Sequence, residues 1–364
     1  MNETILLRFN CGLESLLHLK LKNTLINMNP KDTFYKDWEN CKIPVYHIEE
    51  KITDPTLKKI DEIYGVADIL SIENAKKHER NLWLLSAFGT IITILFLLYD
   101  EAELHLLIFG CIIIIVGIYQ LYKLAERNDC HRKYIQYRVL AETLRVQYFL
   151  SKAGVKKQVT DILPWFIRNG LPWINEILLE LPLKKADKKN SIINCWVRDQ
   201  LEYHQNALVR TTNRKERDDK ITKIVLTVTI ATYIIAVIFE IYILTIPSGE
   251  ITSDMLSSFL KSLQDWGIMV GFTPTDMIRS IMKIVIGTMS AATLFTGSYY
   301  GKMSLSNIIE DHRRMTMLYE KVENEIFQNG ETEELIITLA KEFLIENSTW
   351  YSYQSKNTPN LTIE

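Results

Sequence analysis

The chain has 364 residues and a net charge of −2, so no global basic field points to nucleic acid. Its mean hydropathy is near zero although 24% of its residues are charged, a blend of greasy spans and very polar flanks rather than an ordinary soluble composition. Five cysteines (Cys11, Cys41, Cys111, Cys130 and Cys195) form no Cys-x-x-Cys pair and no zinc-like spacing, and are expected to be reduced thiols in a cytosol-facing protein.

Residues 1–80 read as a cytoplasmic N-terminal helical segment. Residues 1–20 contain Arg8, Glu14, His18 and Lys20 with no long apolar core, so no signal peptide is expected and the first span directs insertion. Pro30, Pro44 and Pro55 make residues 30–55 read as loop. Leu57, Ile60, Tyr64, Ala67 and Leu70 recur at helical spacing and predict a helix running into the first span. Residues 81–122 form transmembrane hairpin 1, with spans Asn81–Tyr99 and His105–Tyr122. Each is close to the roughly 20 residues a helix needs to cross hydrocarbon.

Residues 123–223 read as a cytoplasmic helical region. Tyr137, Leu140, Ala141, Leu144 and Tyr148 extend span two as helix, and Gly154 stops it. Residues 160–182, with Pro164, Trp165, Pro172 and Trp173, predict a short helical pair. The run Lys184–Lys189 reads as a solvated loop or, less simply, a lipid head-group contact. Ser191 is expected to cap a long helix through Trp196, Leu201 and Leu208 into span three.

Residues 224–300 form transmembrane hairpin 2, with spans Ile224–Ile246 and Ile281–Tyr300 and an external loop 247–280. That loop predicts an amphipathic helix, Ser253–Trp266, with Met255, Leu256, Phe259, Leu260 and Leu263 on one side. It lies either on the membrane surface or as a cap over spans three and four. Residues 301–364 read as cytoplasmic helices. Ile308, Met315, Leu318, Val322 and Ile326 share one face, and Asn329–Gly330 breaks the helix. A second helix, Glu331–Glu346, turns Leu335, Leu339 and Phe343 inward, and the tail beyond Trp350 reads as extended.

No strand pattern appears. The expected class is an all-α membrane protein: four transmembrane helices in two hairpins with a helical cytoplasmic bundle. Lys and Arg flank the cytoplasmic ends of all four spans: Lys76, Lys77 and Arg80; Lys123, Arg127, Arg132 and Lys133; Arg214, Lys215, Arg217, Lys220 and Lys223; Lys302, Arg313 and Arg314. The short loop between spans one and two carries Asp100, Glu101 and Glu103 and no basic residue. The positive-inside rule therefore places both termini in the cytoplasm.

No catalytic constellation, phosphate loop or metal-ligand spacing stands out, so no enzyme activity, cofactor or metal is expected. Inside the spans, Glu240 and Lys283 are costly charges. They pair with each other, line a polar path, or reach the outer interface. Gly287, Ser290, Gly297 and Gly301 give span four a small-residue side that suits close helix packing, within the chain or between copies. Outside the spans, Arg138, Glu142 and Arg145 have salt-bridge spacing, and Trp196, Arg198, Asp199, His204 and Trp350 have interface character. These clusters hold the cytoplasmic helices together or receive a partner.

Three stretches carry a family likeness: Tyr137–Gln147 (YRVLAETLRVQ), Cys195–His204 (CWVRDQLEYH) and Leu339–Trp350 (LAKEFLIENSTW). With the two hairpins around them, residues 55–360 resemble the membrane portion of bacterial proteins bearing a TRPM-type SLOG nucleotide-sensing domain, within the SLOG- and SMODS-associated transmembrane effectors. The resemblance implies a bacterial inner-membrane, homo-oligomeric, pore-forming effector of antiviral defence. The departure is that no SLOG domain is read in this sequence: either a separate sensor protein supplies the nucleotide signal as a partner besides the lipid bilayer, or residues 1–80 bind that signal, or the chain is not an effector.

Overall fold

A computed structural model describes residues 29–356 except 46, 50–51, 182–190, 246–253, 267–268, 270–271 and 304. The Lys184–Lys189 run, the Ser253 cap and the tail beyond residue 356 lie outside the described residues. Every regular element among the described residues is helical. The helices are α1 (Pro30–Glu39), α2 (Pro55–Glu101), α3 (Leu107–Asn128), α4 (Cys130–Lys152), α5 (Val159–Ile162), α6 (Trp165–Gly170), α7 (Pro172–Glu180), a π-helical turn (Ile193–Arg198), α8 (Asp199–Thr245), α9 (Asp254–Asp265), α10 (Pro274–Met303), α11 (Leu305–Asn329) and α12 (Glu333–Lys356). Four stretches are long and apolar enough to cross a membrane, within Pro55–Glu101, Leu107–Lys152, Ile193–Tyr242 and Pro274–Gly297. The chain is an all-α membrane protein.

Local chemistry explains the helix ends. Asn29 accepts from the Lys31 amide at 3.1 Å and Pro30 opens α1. Residues 30–39 are thus helical, correcting the loop expected there: a proline after a capping residue starts a helix, because its missing N–H would be unpaired anyway. Asp54 does the same for α2, accepting from the amides of Thr56 and Leu57 at 2.7 and 3.1 Å. The expected run of helix into the first span is present. Between α3 and α4, Asp129 adopts φ 48°, a left-handed break in what reads as one continuous helix. Gly154, at φ 70°, ends α4 as expected. The segment after it holds three short helices instead of two. Gly330, at φ 77°, separates α11 from α12. Helix α12 continues to Lys356, where an extended tail was expected after Trp350.

The chain divides into two compact units. The first comprises residues 1–77, 126–197 and 322–358, and the second 78–125, 198–321 and 359–364. In the first, α4 is the central element. Consecutive side chains from Val139 to Ser151 are nearly all buried, which places neighbours on every face. Helix α12 is its main partner, and Leu335, Leu339 and Phe343 are buried as expected. Phe34 of α1 is fully buried among Tyr137 (5.4 Å) and Trp173 (6.0 Å). Tyr137 donates to Asp37 at 2.7 Å, which fixes α1 on α4.

In the second unit, α8 and α10 are neighbours. Thr229 meets Thr293, Tyr233 meets Ser290 and Glu240 meets Arg279, so residue numbers rise on one helix as they fall on the other. The pair is antiparallel. Outward faces carry bare hydrocarbon, with Ile113 70% and Leu294 74% exposed, as lipid-facing helices require. Helix α9 is a cap. Leu260 joins Ala102, Met269 and Met277 in a buried cluster edged by Leu104, Leu263, Phe272, Ile278, Ile281 and Ile284. It therefore covers the α2–α3 connection and the start of α10. Trp266 stays 80% exposed.

Candidate functional site

The helix pair α8–α10 is built from hydroxyl side chains. Thr229 Oγ1 lies 2.8 Å from Thr293 Oγ1 and 3.3 Å from the Met289 carbonyl oxygen. One turn on, Tyr233 and Ser290 hydroxyls are 3.1 Å apart. Thr229 and Thr293 also bond to their own helix, reaching the carbonyls of Val225 (2.8 Å) and Met289 (3.0 Å). Buried Thr296 continues the line along α10. Interhelical hydroxyl contacts of this type contribute about 0.6 kcal/mol each, so the seam sets register more than it adds stability.

Near the residue-240 end, mutual pairing of Glu240 and Lys283, one of the three alternatives, is not what the structure shows. Glu240 takes a two-pronged contact from Arg279, Nη2 to Oε1 at 2.7 Å and Nε to Oε2 at 3.2 Å. Lys283 reaches Glu101 instead, at 3.1 Å. A Glu240–Lys283 pair is therefore corrected to two pairs with new partners. The guanidinium fork matches a carboxylate edge better than an ammonium does, which explains Arg279 as the partner of Glu240. A side-chain cap at the start of α10 precedes Arg279: Thr273 Oγ1 accepts from the Asp276 amide at 3.2 Å and donates to Asp276 Oδ2 at 2.6 Å.

The small residues divide. A methyl group built on Gly287 would stand 2.4 Å from Leu97 Cδ1, so Gly287 is where α10 admits a side chain from α2. Gly297 has no neighbour within 4 Å of that position among the described residues. Gly301 lies in α10, with its surroundings outside the description. Close packing through the Gly297 side is thus not made among the described residues, whereas Ser290 serves the hydroxyl seam.

The first unit holds a charged cluster. Arg145 Nη2 donates to Tyr64 Oη at 2.7 Å, and Nη1 lies 2.9 Å from Glu142. Asp68 is beside them. Arg138 lies 4.5 Å over the Trp350 ring, which Tyr134 meets edge-on at 5.7 Å. Residues Arg138, Glu142, Arg145 and Trp350 thus form one neighbourhood joining α2, α4 and α12; the sequence spacing related only the first three. Tyr64 and Asp68 were missed as members. They sit one turn apart on α2, a spacing that the apolar periodicity of that helix masked.

Burial, and next the Glu142 carboxylate, push the Asp68 carboxyl up, with Arg145 and Arg138 offsetting part of the effect. A raised folded value means that ionised Asp68 opposes folding. The stability it contributes is full below about pH 3.9 and is lost as pH rises through the folded value. Asp68→Asn is expected to raise the melting temperature of the detergent-solubilised protein at pH 7, with the gain shrinking toward pH 4. Melting curves of both proteins at the two pH values check this.

Trp196 is fully buried and stacks on Phe149 at 4.9 Å with rings 5° apart. It falls in the π-helical turn, where the Val197 amide reaches back five residues to the Ile192 carbonyl at 3.4 Å. At this helix start, where Ser191 was the expected cap, Glu331 also takes part. Glu331 accepts from the amides of Ile192 (3.3 Å) and Ile193 (3.1 Å), and the Ser191 hydroxyl donates to the same carboxylate. A carboxylate satisfies the free N–H groups of a helix start better than a hydroxyl does. Arg198, Asp199 and His204 belong to the second unit, apart from Trp196 in the first. The sequence stretch that contains all four spans a unit boundary.

No protein-family model, curated protein or solved structure matches the chain. Among the described residues, no group of three or more His, Cys, Asp or Glu side chains is arranged to hold a metal ion.

Proposed function

We propose that the chain is a homo-oligomeric effector of a prokaryotic antiviral, abortive-infection system that opens a conductive path through the bacterial inner membrane. The observation that carries this reading is the hydroxyl seam of Thr229, Tyr233, Ser290 and Thr293 between two apolar helices. It supplies polar groups where hydrocarbon side chains would pack equally well. The open side at Gly297 gives a neighbouring copy room for close approach. The distribution of Lys and Arg favours both termini in the cytoplasm. The family resemblance supplies the biological role, with a nucleotide signal or a separate sensor protein as trigger. The reading assigns no catalytic step and no cofactor.

Expression together with its genomic neighbours is expected to collapse the membrane potential and admit a membrane-impermeant dye during infection. Gly297→Leu is expected to abolish both without reducing membrane insertion. Intact potential and excluded dye during infection would overturn the reading. A second reading, a non-conducting adaptor, is favoured by Trp165 and Leu179, which stand 74% and 64% exposed on α6 and α7 as apolar contacts for a partner. Toxicity that survives deletion of the apolar spans would select it.

A further inference from the structure

Two helices of the second unit carry bare hydrocarbon faces that end in exposed lysines. On α8 the face runs through Ile224, Ile230, Ile234 and Ile238, each more than half exposed. Successive helical residues turn by about 100°, so Lys220 and Lys223 stand on that same side, in the turn just before Ile224. Both are exposed, and residues 220–223 contain no acid. On α3 the exposed face runs through Phe109, Ile113 and Val116 to Tyr119 and Lys123. There the Lys123 ammonium lies 5.4 Å over the exposed Tyr119 ring.

The neighbouring arginines of α8 differ from these lysines. Arg214 meets Glu79 of α2 at 2.9 Å, and its Nε lies 3.9 Å from the buried Asp218. Arg217 reaches Asp218 at 3.4 Å. No ion pair joins Lys123, Lys220 or Lys223 among the described residues. The exposed acids Glu216 and Asp219 both precede Lys220, so they stand farther from the hydrocarbon. Each apolar face thus ends in cations that the described chain does not neutralise. A lysine stem laid along apolar surface carries its ammonium to the level of lipid head groups.

We propose that these lysine-ended faces of α3 and α8 select anionic glycerophospholipids from the bilayer, with the phosphate against Lys123, Lys220 and Lys223 and the acyl chains along the apolar side chains. The occupant has to supply hydrocarbon for the stripe and net negative charge for its end, and one anionic phospholipid supplies both. A zwitterionic lipid covers the same hydrocarbon but brings no net charge to the lysines. A free phosphate brings charge and leaves the stripe bare. The inference needs only that the apolar helices lie in a bilayer, and it stands apart from the conduction proposed above.

Electron spin resonance of the full chain in phosphatidylcholine bilayers tests this, with spin-labelled phosphatidylglycerol or spin-labelled phosphatidylcholine as the probe. The motionally restricted fraction of each probe gives its relative association with the protein. At low salt phosphatidylglycerol is expected to associate about fivefold more strongly. The preference is expected to fall below about twofold in a variant carrying Lys123→Gln, Lys220→Gln and Lys223→Gln, and in the native protein at 1 M salt. The restricted fraction of phosphatidylcholine, which reports the hydrocarbon face, is expected to be the same in native and variant proteins and shows that the variant is inserted and folded. Inorganic phosphate is expected to displace no more phosphatidylglycerol than sodium chloride of equal ionic strength. Equal association of the two probes with the native protein, an unchanged preference in the variant, or specific displacement by inorganic phosphate overturns the proposal.

Discussion

Arg145→Leu is expected to unfold the first unit at denaturant concentrations the native protein tolerates, at a cost of about 3–5 kcal/mol. The Arg145 side chain is 17% exposed and touches Glu142 and Tyr64, with Asp68 close by. Burial alone would weaken its charge, but Glu142, Tyr64 and Asp68 more than compensate and hold it firmly protonated. Removing the cation leaves two carboxylates facing one another in a poorly solvated site. The loss then comes from uncompensated acids as well as from lost attraction. Adding Glu142→Leu to Arg145→Leu is expected to recover part of the stability, because a buried ion pair replaced by hydrocarbon is often neutral. Limited proteolysis and urea titration of the detergent-solubilised protein measure both variants. A single variant as stable as the native protein would contradict the assignment.

Trp196→Ala is expected to have a comparable effect, about 3–5 kcal/mol. The indole is completely buried, and Phe149 covers its face. Alanine there leaves a cavity that two helices, α4 and the π-helical turn, would have to move to fill. Trp196→Phe keeps the stacked ring. The indole N–H has no hydrogen-bond partner among the described residues, so its removal forfeits no bond. The phenylalanine variant is therefore expected to retain most of the stability. Urea midpoints for the two variants separate ring volume from polar contact. Equal losses would remove the stacking argument.

Much of the helical layout is legible in the sequence because its signals are local. The apolar stretches, the periodicity of Leu57 to Leu70 and the break at Gly330 each depend on residues within one or two turns. The errors are also local in origin. Pro30 reads as a breaker in isolation, but behind the Asn29 cap it opens a helix. The helix beyond Trp350 was missed because its polar residues Ser352, Gln354 and Ser355 disguise a face that packs through Tyr351 onto Phe166, 5.8 Å away. The charged cluster of Arg138, Glu142 and Arg145 was found from i, i+3 and i, i+4 spacing, whereas Tyr64 and Asp68 come from another helix and leave no trace in that spacing.

The sequence by itself determined that four apolar helices exist, which residues interrupt them and which charges lie within or beside them. Hydropathy and helical period are properties of contiguous residues, so no folding is needed to read them. Only the tertiary structure decided the partners: Glu240 with Arg279, Lys283 with Glu101, Gly287 with Leu97 and His204 with His312. Each choice depends on the relative rotation and depth of helices distant in the chain. A shift of one residue turns a helical side chain by about 100°, enough to exchange one partner for another.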